Sequence, residues 1–229
     1  MKNQMIYHKI SNINKYLLLI IMFIDNKYKL KNGDILLFDN KGGGVMGMFS
    51  SLIKIFTKSD ISHVSMVLKD PDFLDPPLKG FYVWESNYEG KPDPQDGKIK
   101  LGVQITPIEE VFDYYRKNKS KVFVRKIICS PSLFSKNNLE DIHNVVYDKE
   151  YDTSISDWIY AMDRKDKKPQ KTDKFWCSAL VGYIYTKCGI LTPNTDWSIL
   201  RPSDFTSKYN GNLEFLNNAC LDDEIELQI

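Results

Sequence analysis

The stretch Phe175 to Gly189, FWCSALVGYIYTKCG, decides how this chain is read. Leu180, Val181, Ile184 and Cys188 recur at helical spacing and predict a buried stripe, and Gly189 stands where a helix ends on a left-handed residue. The same spacing places Cys177 in the first turn. There, backbone N–H groups without intrahelical partners and the positive end of the helix dipole favour a thiolate, the form that attacks a carbonyl carbon. Most free cysteines simply pack as small hydrophobes, and Cys188, Cys129 and Cys220 are read that way. Position at a helix start, directly after Phe175 and Trp176, sets Cys177 apart.

A cysteine nucleophile needs a base, and the chain has only three histidines: His8, His63 and His143. His8 lies in the leading segment and His143 in a short polar helix, where it is read as a surface residue without a role. His63 lies in Ile61 to Leu68, ISHVSMVL, whose alternation predicts a strand with Ile61, His63, Ser65 and Val67 on one face. An imidazole acting on a thiol needs an acceptor on its second nitrogen to fix the tautomer and stabilise the imidazolium. Glu85, near the end of the next predicted strand (Phe81 to Ser86, FYVWES), is the candidate. If consecutive strands pair antiparallel, as they commonly do, its carboxylate and the imidazole meet across the ladder.

Around these residues the pattern is mixed. Asp34 to Phe38, Leu101 to Thr106 and Val122 to Ile128 are further short β-branched and aromatic runs, predicted as strands. Val45 to Thr57 is predicted helical, with Phe49, Leu52, Ile53 and Phe56 on one face. A helix from Pro107, with Thr106 as its cap and Glu109 and Glu110 in its first turn, is expected, as are shorter helices at Leu139 to Tyr147 and Ser156 to Met162. Asp70 to Gly80, Ser132 to Asn138 and Asp163 to Lys174 read as loops.

The 31 basic and 30 acidic side chains leave a net charge of +1, which removes a strongly basic nucleic-acid binder from consideration. With 42% hydrophobic and 13% aromatic residues the chain can bury a real core. The four cysteines form no C-x-x-C pair, so neither a zinc ribbon nor a dithiol redox motif is indicated. Cys177 and Cys188, on one helix, stand roughly 16 Å apart, too far for a bridge. A reducing, cytosol-like compartment is expected. Tyr16 to Ile24, YLLLIIMFI, is apolar but about half the ~20 residues that span a bilayer, and Asp25 interrupts it. Residues 1–28 are therefore read as a leader or extension, with Met1 or Met22 as the natural start and weak membrane association through residues 16–24 left open.

In order, GDILLF (Gly33 to Phe38), SHVSMVL (Ser62 to Leu68), VWES (Val83 to Ser86), Tyr151-Asp152, FWCSALVGYIY (Phe175 to Tyr185) and RPSDF (Arg201 to Phe205) form a set. It resembles the circularly permuted branch of the NlpC-type papain-like cysteine hydrolases, in particular the YiiX-like group with its viral relatives, over roughly Leu30 to Phe205. The resemblance implies an α+β, permuted papain-like fold over residues 29–229. Its antiparallel sheet or partial barrel packs on helices, with the nucleophile at a helix N-terminus. It implies Cys177 as nucleophile, His63 as base, Glu85 as the orienting residue and Tyr151 as a substrate contact, with no cofactor and no metal. Where relatives often read C-S-E-L-V, this chain has Ala179 in the third position, so any role of that acid is absent.

The implied activity is hydrolysis or acyl transfer at a peptide amide, N-acyl or lipid acyl bond through an acyl-enzyme. The alternative is a catalytically silent lipid- or peptide-binding module of the same fold. Met46, Met48 and Phe49 are candidates for an acyl-binding mouth and equally for ordinary helix packing.

Overall fold

The uninterrupted apolar run at Ile35 suits a strand covered on both faces, and β1 (Ile35–Asp39) is buried at every residue. In the computed structural model, which describes residues 28–41, 59–153, 170–209 and 212–229, it lies in the interior of an eight-stranded sheet. The strands are β2 (His63–Lys69), β3 (Phe81–Asn87), β4 (Gly102–Pro107), β5 (Lys121–Arg125), β7 (Glu150–Tyr151), β8 (Lys174–Phe175) and β10 (Ile225–Glu226). Their order is β10-β5-β1-β2-β3-β4-β7-β8, antiparallel throughout except for β7–β8, and the sheet curls into a half-barrel. A two-residue strand β6 (Ile127–Ile128) leaves this sheet to pair with β9 (Cys220–Leu221).

Strand alternation sorts the core into two layers. On one face, Leu36, Phe38, Val67, Val83, Val122 and Val124 pack against α1 (Ile108–Lys117), which offers Ile108, Val111, Phe112 and Tyr115 at helical spacing. On the other, Ile35, Leu37, Val64, Met66, Trp84 and Ile105 pack against α2 (Lys136–Val146) and α3 (Cys177–Lys187). The chain is thus α+β, with three helices among the described residues.

Several expectations need correction. The run Val122 to Ile128 breaks at Lys126, whose ammonium pairs with buried Asp34 while Asp34 Oδ1 accepts the Ile127 N–H, so the chain turns away from the large sheet. Ser132 to Asn138 is not a loop: a 3₁₀ turn (Pro131–Phe134) leads into α2, whose N-cap Ser135 accepts the Asn138 N–H. Thr106 does not cap α1. Pro107 occupies the N-cap without a side-chain bond, although Glu109 and Glu110 do sit in the first turn. Ile61 precedes β2 and packs in the α3-side layer, apart from His63. The stripe on α3 is wider than expected, since every residue from Cys177 to Tyr185 is buried.

His143 is half-buried rather than a surface residue. Its Nε2 lies 2.7 Å from Gln95 Oε1, its ring packs near Phe73 and Trp84, and burial lowers its pKa. The helices expected at Val45 to Thr57 and Ser156 to Met162, the segment 16–24, the residues Met46, Met48 and Phe49, and Asp163 to Pro169 of the expected loop lie outside the described residues. Lys174, at that loop's end, begins β8. No helix among the described residues is long and apolar enough to cross a membrane.

Candidate active site

The strand register decides where the site forms. β1 and β2 pair as far as Phe38↔His63, but β2 and β3 pair only from Met66↔Trp84 to Lys69↔Phe81. Beyond Met66 the two strands fork, and the first turn of α3 occupies the fork. Three buried hydrogen bonds hold it there: Ser86 Oγ donates to the Phe175 carbonyl at 2.6 Å, and Trp176 Nε1 and Ser178 Oγ donate to the Leu200 carbonyl at 3.1 and 2.8 Å. Behind them, Gly102 lets β7 come close to β4: a Cβ there would lie 2.2 Å from the Lys149 carbonyl oxygen, at a φ of +152°. That approach carries Tyr151 toward the same fork.

Cys177 is the first residue of α3, with Trp176 in the N-cap position. Burial alone would raise its pKa. The His63 charge and hydrogen bond, with the backbone N–H groups of Val64 and Ser178 donating to the sulfur, lower it instead. With its ladder to β3 ended, the Val64 N–H goes to sulfur. On His63 burial pulls the pKa down, but the Cys177 thiolate and the Glu85 carboxylate outweigh it and push it up to about 10. The two shifts share one cause, a thiolate and an imidazolium that stabilise each other, to which Glu85 on one side and the Val64 and Ser178 N–H groups on the other add. Cys188 shows the contrast, since burial without a cation pushes its thiol up to about 12.

Glu85 is fully buried, and three side chains among the described residues contact its carboxylate. His63 Nε2 stands 2.8 Å from Oε2, Asn87 Nδ2 donates to Oε2 at 3.3 Å, and Thr106 Oγ1 donates to Oε1 at 2.9 Å. With Nε2 on the carboxylate, Nδ1 is the ring nitrogen left for sulfur. The hydroxyl expected to cap α1 therefore fixes the orienting carboxylate. Tyr151 is buried; burial first, then the Cys177 and Asp152 charges, raises its phenol well above 10, so it stands within electrostatic reach of the sulfur.

The structure brings Cys177, His63 and Glu85 into one buried cluster with Tyr151 behind it. Cys177 exposes 2% and His63 7% of their surfaces. Neither lines the cavity of about 280 Å³ between Lys31, Lys69, Cys129 and Phe134, or that of about 360 Å³ beside Ile61, Phe123 and Tyr209. Among the described residues no group of His, Cys, Asp or Glu is arranged to hold a metal ion.

Sequence reasoning missed Ser86, Asn87, Glu89 and Thr106. Alternation did carry a signal for one of them, because Asn87 shares the strand face of Glu85 two residues on. The Ser86 hydroxyl could not be read that way, since its partner is 89 positions distant. No protein-family model matches this sequence, and no curated protein matches it significantly.

Proposed function

We propose that the chain is a cysteine hydrolase or acyltransferase acting on an amide or ester carbonyl, with Cys177 as nucleophile, His63 as proton carrier and Glu85 as the group that holds His63. The observation that carries this reading is the electrostatic pairing of Cys177 with His63 at the end of a His63–Glu85 contact of 2.8 Å. A buried thiolate–imidazolium pair costs desolvation that a packing cysteine would not incur. Its chemical use is a nucleophile available at neutral pH.

In this mechanism the Cys177 sulfur attacks the carbonyl carbon, a C–S bond forms, and the carbonyl π electrons move onto oxygen. The Cys177 N–H, at the start of α3, is the donor assigned to that oxyanion in this mechanism. As the tetrahedral intermediate collapses, His63 gives its proton to the leaving amine or alcohol and a thioester remains. His63, now neutral, takes a proton from water, whose oxygen attacks the thioester carbon. Collapse of the second intermediate releases the acid and restores the ion pair. Glu85 accepts from the His63 Nε2–H and holds the imidazolium in both half-reactions.

The 2% exposure of Cys177 favours a second reading, a module of this fold that binds a peptide or lipid without turnover. Incubation with a panel of p-nitrophenyl acyl esters and acyl amides separates the two. The expected result is an acyl adduct on the peptide containing Cys177, with product release abolished in Cys177→Ala. Product release unchanged in Cys177→Ala would overturn the enzymatic reading.

A further inference from the structure

We propose that Glu89 is a positioning residue of this site, acting through the Asn87 amide on the carboxylate that holds His63. This deepens the reading above and rests on it. The geometry is a bridge. Asn87 Nδ2 donates one N–H to Glu85 Oε2 at 3.3 Å and the other to Glu89 Oε1 at 2.7 Å, so one buried amide joins two carboxyl groups. Glu85 is sealed in the core near the end of β3, whereas Glu89, in the loop just beyond, is half-buried at the rim.

Of two carboxyl groups bridged by one amide, the second to ionise meets the repulsion of the first. Glu85 faces the imidazolium, its Oε2 2.8 Å from His63 Nε2. Burial first, then the Glu85 charge, pushes Glu89 up to about 8, against the opposing pull of His63 and Lys91. The groups facing Glu89 among the described residues are Glu85 on β3, His63 on β2, Lys91 in its own loop, and Glu110, Tyr114 and Tyr115 on α1. Lys91 is engaged at 2.8 Å by Glu110, which weakens its hold on Glu89. Below about pH 8 Glu89 is a neutral acceptor for Asn87. Above it, a second negative charge arrives at the His63–Glu85 end of the site. That charge favours the imidazolium and draws the Asn87 amide from Glu85 toward Glu89, freeing Glu85 Oε2 for His63.

The test follows the His63 ring resonances by NMR from about pH 6 to about pH 10, in the wild-type protein and in Glu89→Gln, which keeps the size and the acceptor oxygen. The expected result is a step in the His63 signals near pH 8 in the wild type and its loss in Glu89→Gln. Carboxyl ¹³C signals of the wild type give a second readout, with Glu89 itself titrating at the same pH. His63 signals without that step, or an identical step in Glu89→Gln, overturn the proposal. Iodoacetamide alkylation of Cys177 on the same samples separates the two levels of the argument. A reactive Cys177 with no His63 step sinks the role of Glu89 alone; an unreactive Cys177 sinks the nucleophile on which that role depends.

Discussion

His63 Nε2 and Glu85 Oε2 stand 2.8 Å apart across neighbouring antiparallel strands, at the point where those strands cease to pair. Thr106 and Asn87 fix the carboxylate from two further directions. Replacing Glu85 by Gln keeps the shape and removes the charge. The His63 pKa should then fall from about 10 toward its ordinary value, and turnover of an activated ester should drop by about 10²-fold or more, the range for a mispositioned general base. NMR titration of the His63 ring and steady-state kinetics measure the two effects. A variant with an unchanged His63 titration would remove Glu85 from the site.

The ion pair also fixes how stability varies with pH. In the unfolded chain His63 titrates near 6.5 and Cys177 near 9.0; folded, His63 rises to about 10 and Cys177 falls below its ordinary value. The raised His63 alone stabilises fully below 6.5 and loses that contribution as pH rises to about 10. The lowered Cys177 alone stabilises fully above 9.0 and loses it as pH falls. Between 6.5 and 9.0 the pair binds one proton in both states, on sulfur when unfolded and on imidazole when folded, so the slopes cancel. Urea unfolding of Glu89→Gln, which removes the one other group titrating here that His63 shifts, against Glu89→Gln/His63→Ala/Cys177→Ala should show a difference that is flat across this window. It should shrink above 9.0 and also on the acid side of 6.5. A steady slope through the window would contradict a proton shared by these two groups.

Ser65 sits on the strand face of His63, fully buried, and its hydroxyl has no hydrogen-bond partner among the described residues. Such an orphan costs about 1–3 kcal/mol of desolvation, and removing it outright is often neutral or stabilising. Ser65→Ala should therefore leave stability unchanged or raise it by about 1 kcal/mol in urea unfolding. A loss of similar size would mean that the hydroxyl is satisfied in solution.

Arg125 is the one arginine buried in the core among the described residues. Its guanidinium donates to the carbonyls of Asp222, Phe205 and Leu221 at 2.6, 2.8 and 3.0 Å, tying the C-terminal segment to β5. Arg125→Ala strands all three acceptors and should cost about 3–5 kcal/mol. Limited proteolysis should cut first near Asp222. An uncut segment in a stable variant would show that the tail is held by other contacts.

The strands and α3 were legible because their signals are local. Runs such as ILLFD and HVSMVLK carry β-branched or apolar density between turn residues, and α3 stops just before Gly189, whose φ is +71° as a left-handed stop requires. Cys177, His63 and Glu85 were legible because their chemistry narrows the choice to three histidines and a neighbouring acid. The supporting residues were not. Thr106 looks like a helix cap, and only the register Val83↔Thr106 on the next strand brings its hydroxyl to Glu85. The break at Lys126 depends on Asp34, some ninety positions away, which no local pattern reports.

The most direct measurement is the rate of iodoacetamide alkylation of Cys177 as a function of pH, in the wild type and in His63→Ala. An ordinary thiol is less than about 1% thiolate at pH 6. Paired with His63, Cys177 should react at that pH ahead of Cys129, Cys188 and Cys220, and His63→Ala should abolish the advantage. Equal labelling of the four cysteines at pH 6, or a profile that His63→Ala leaves in place, would contradict the thiolate–imidazolium pair.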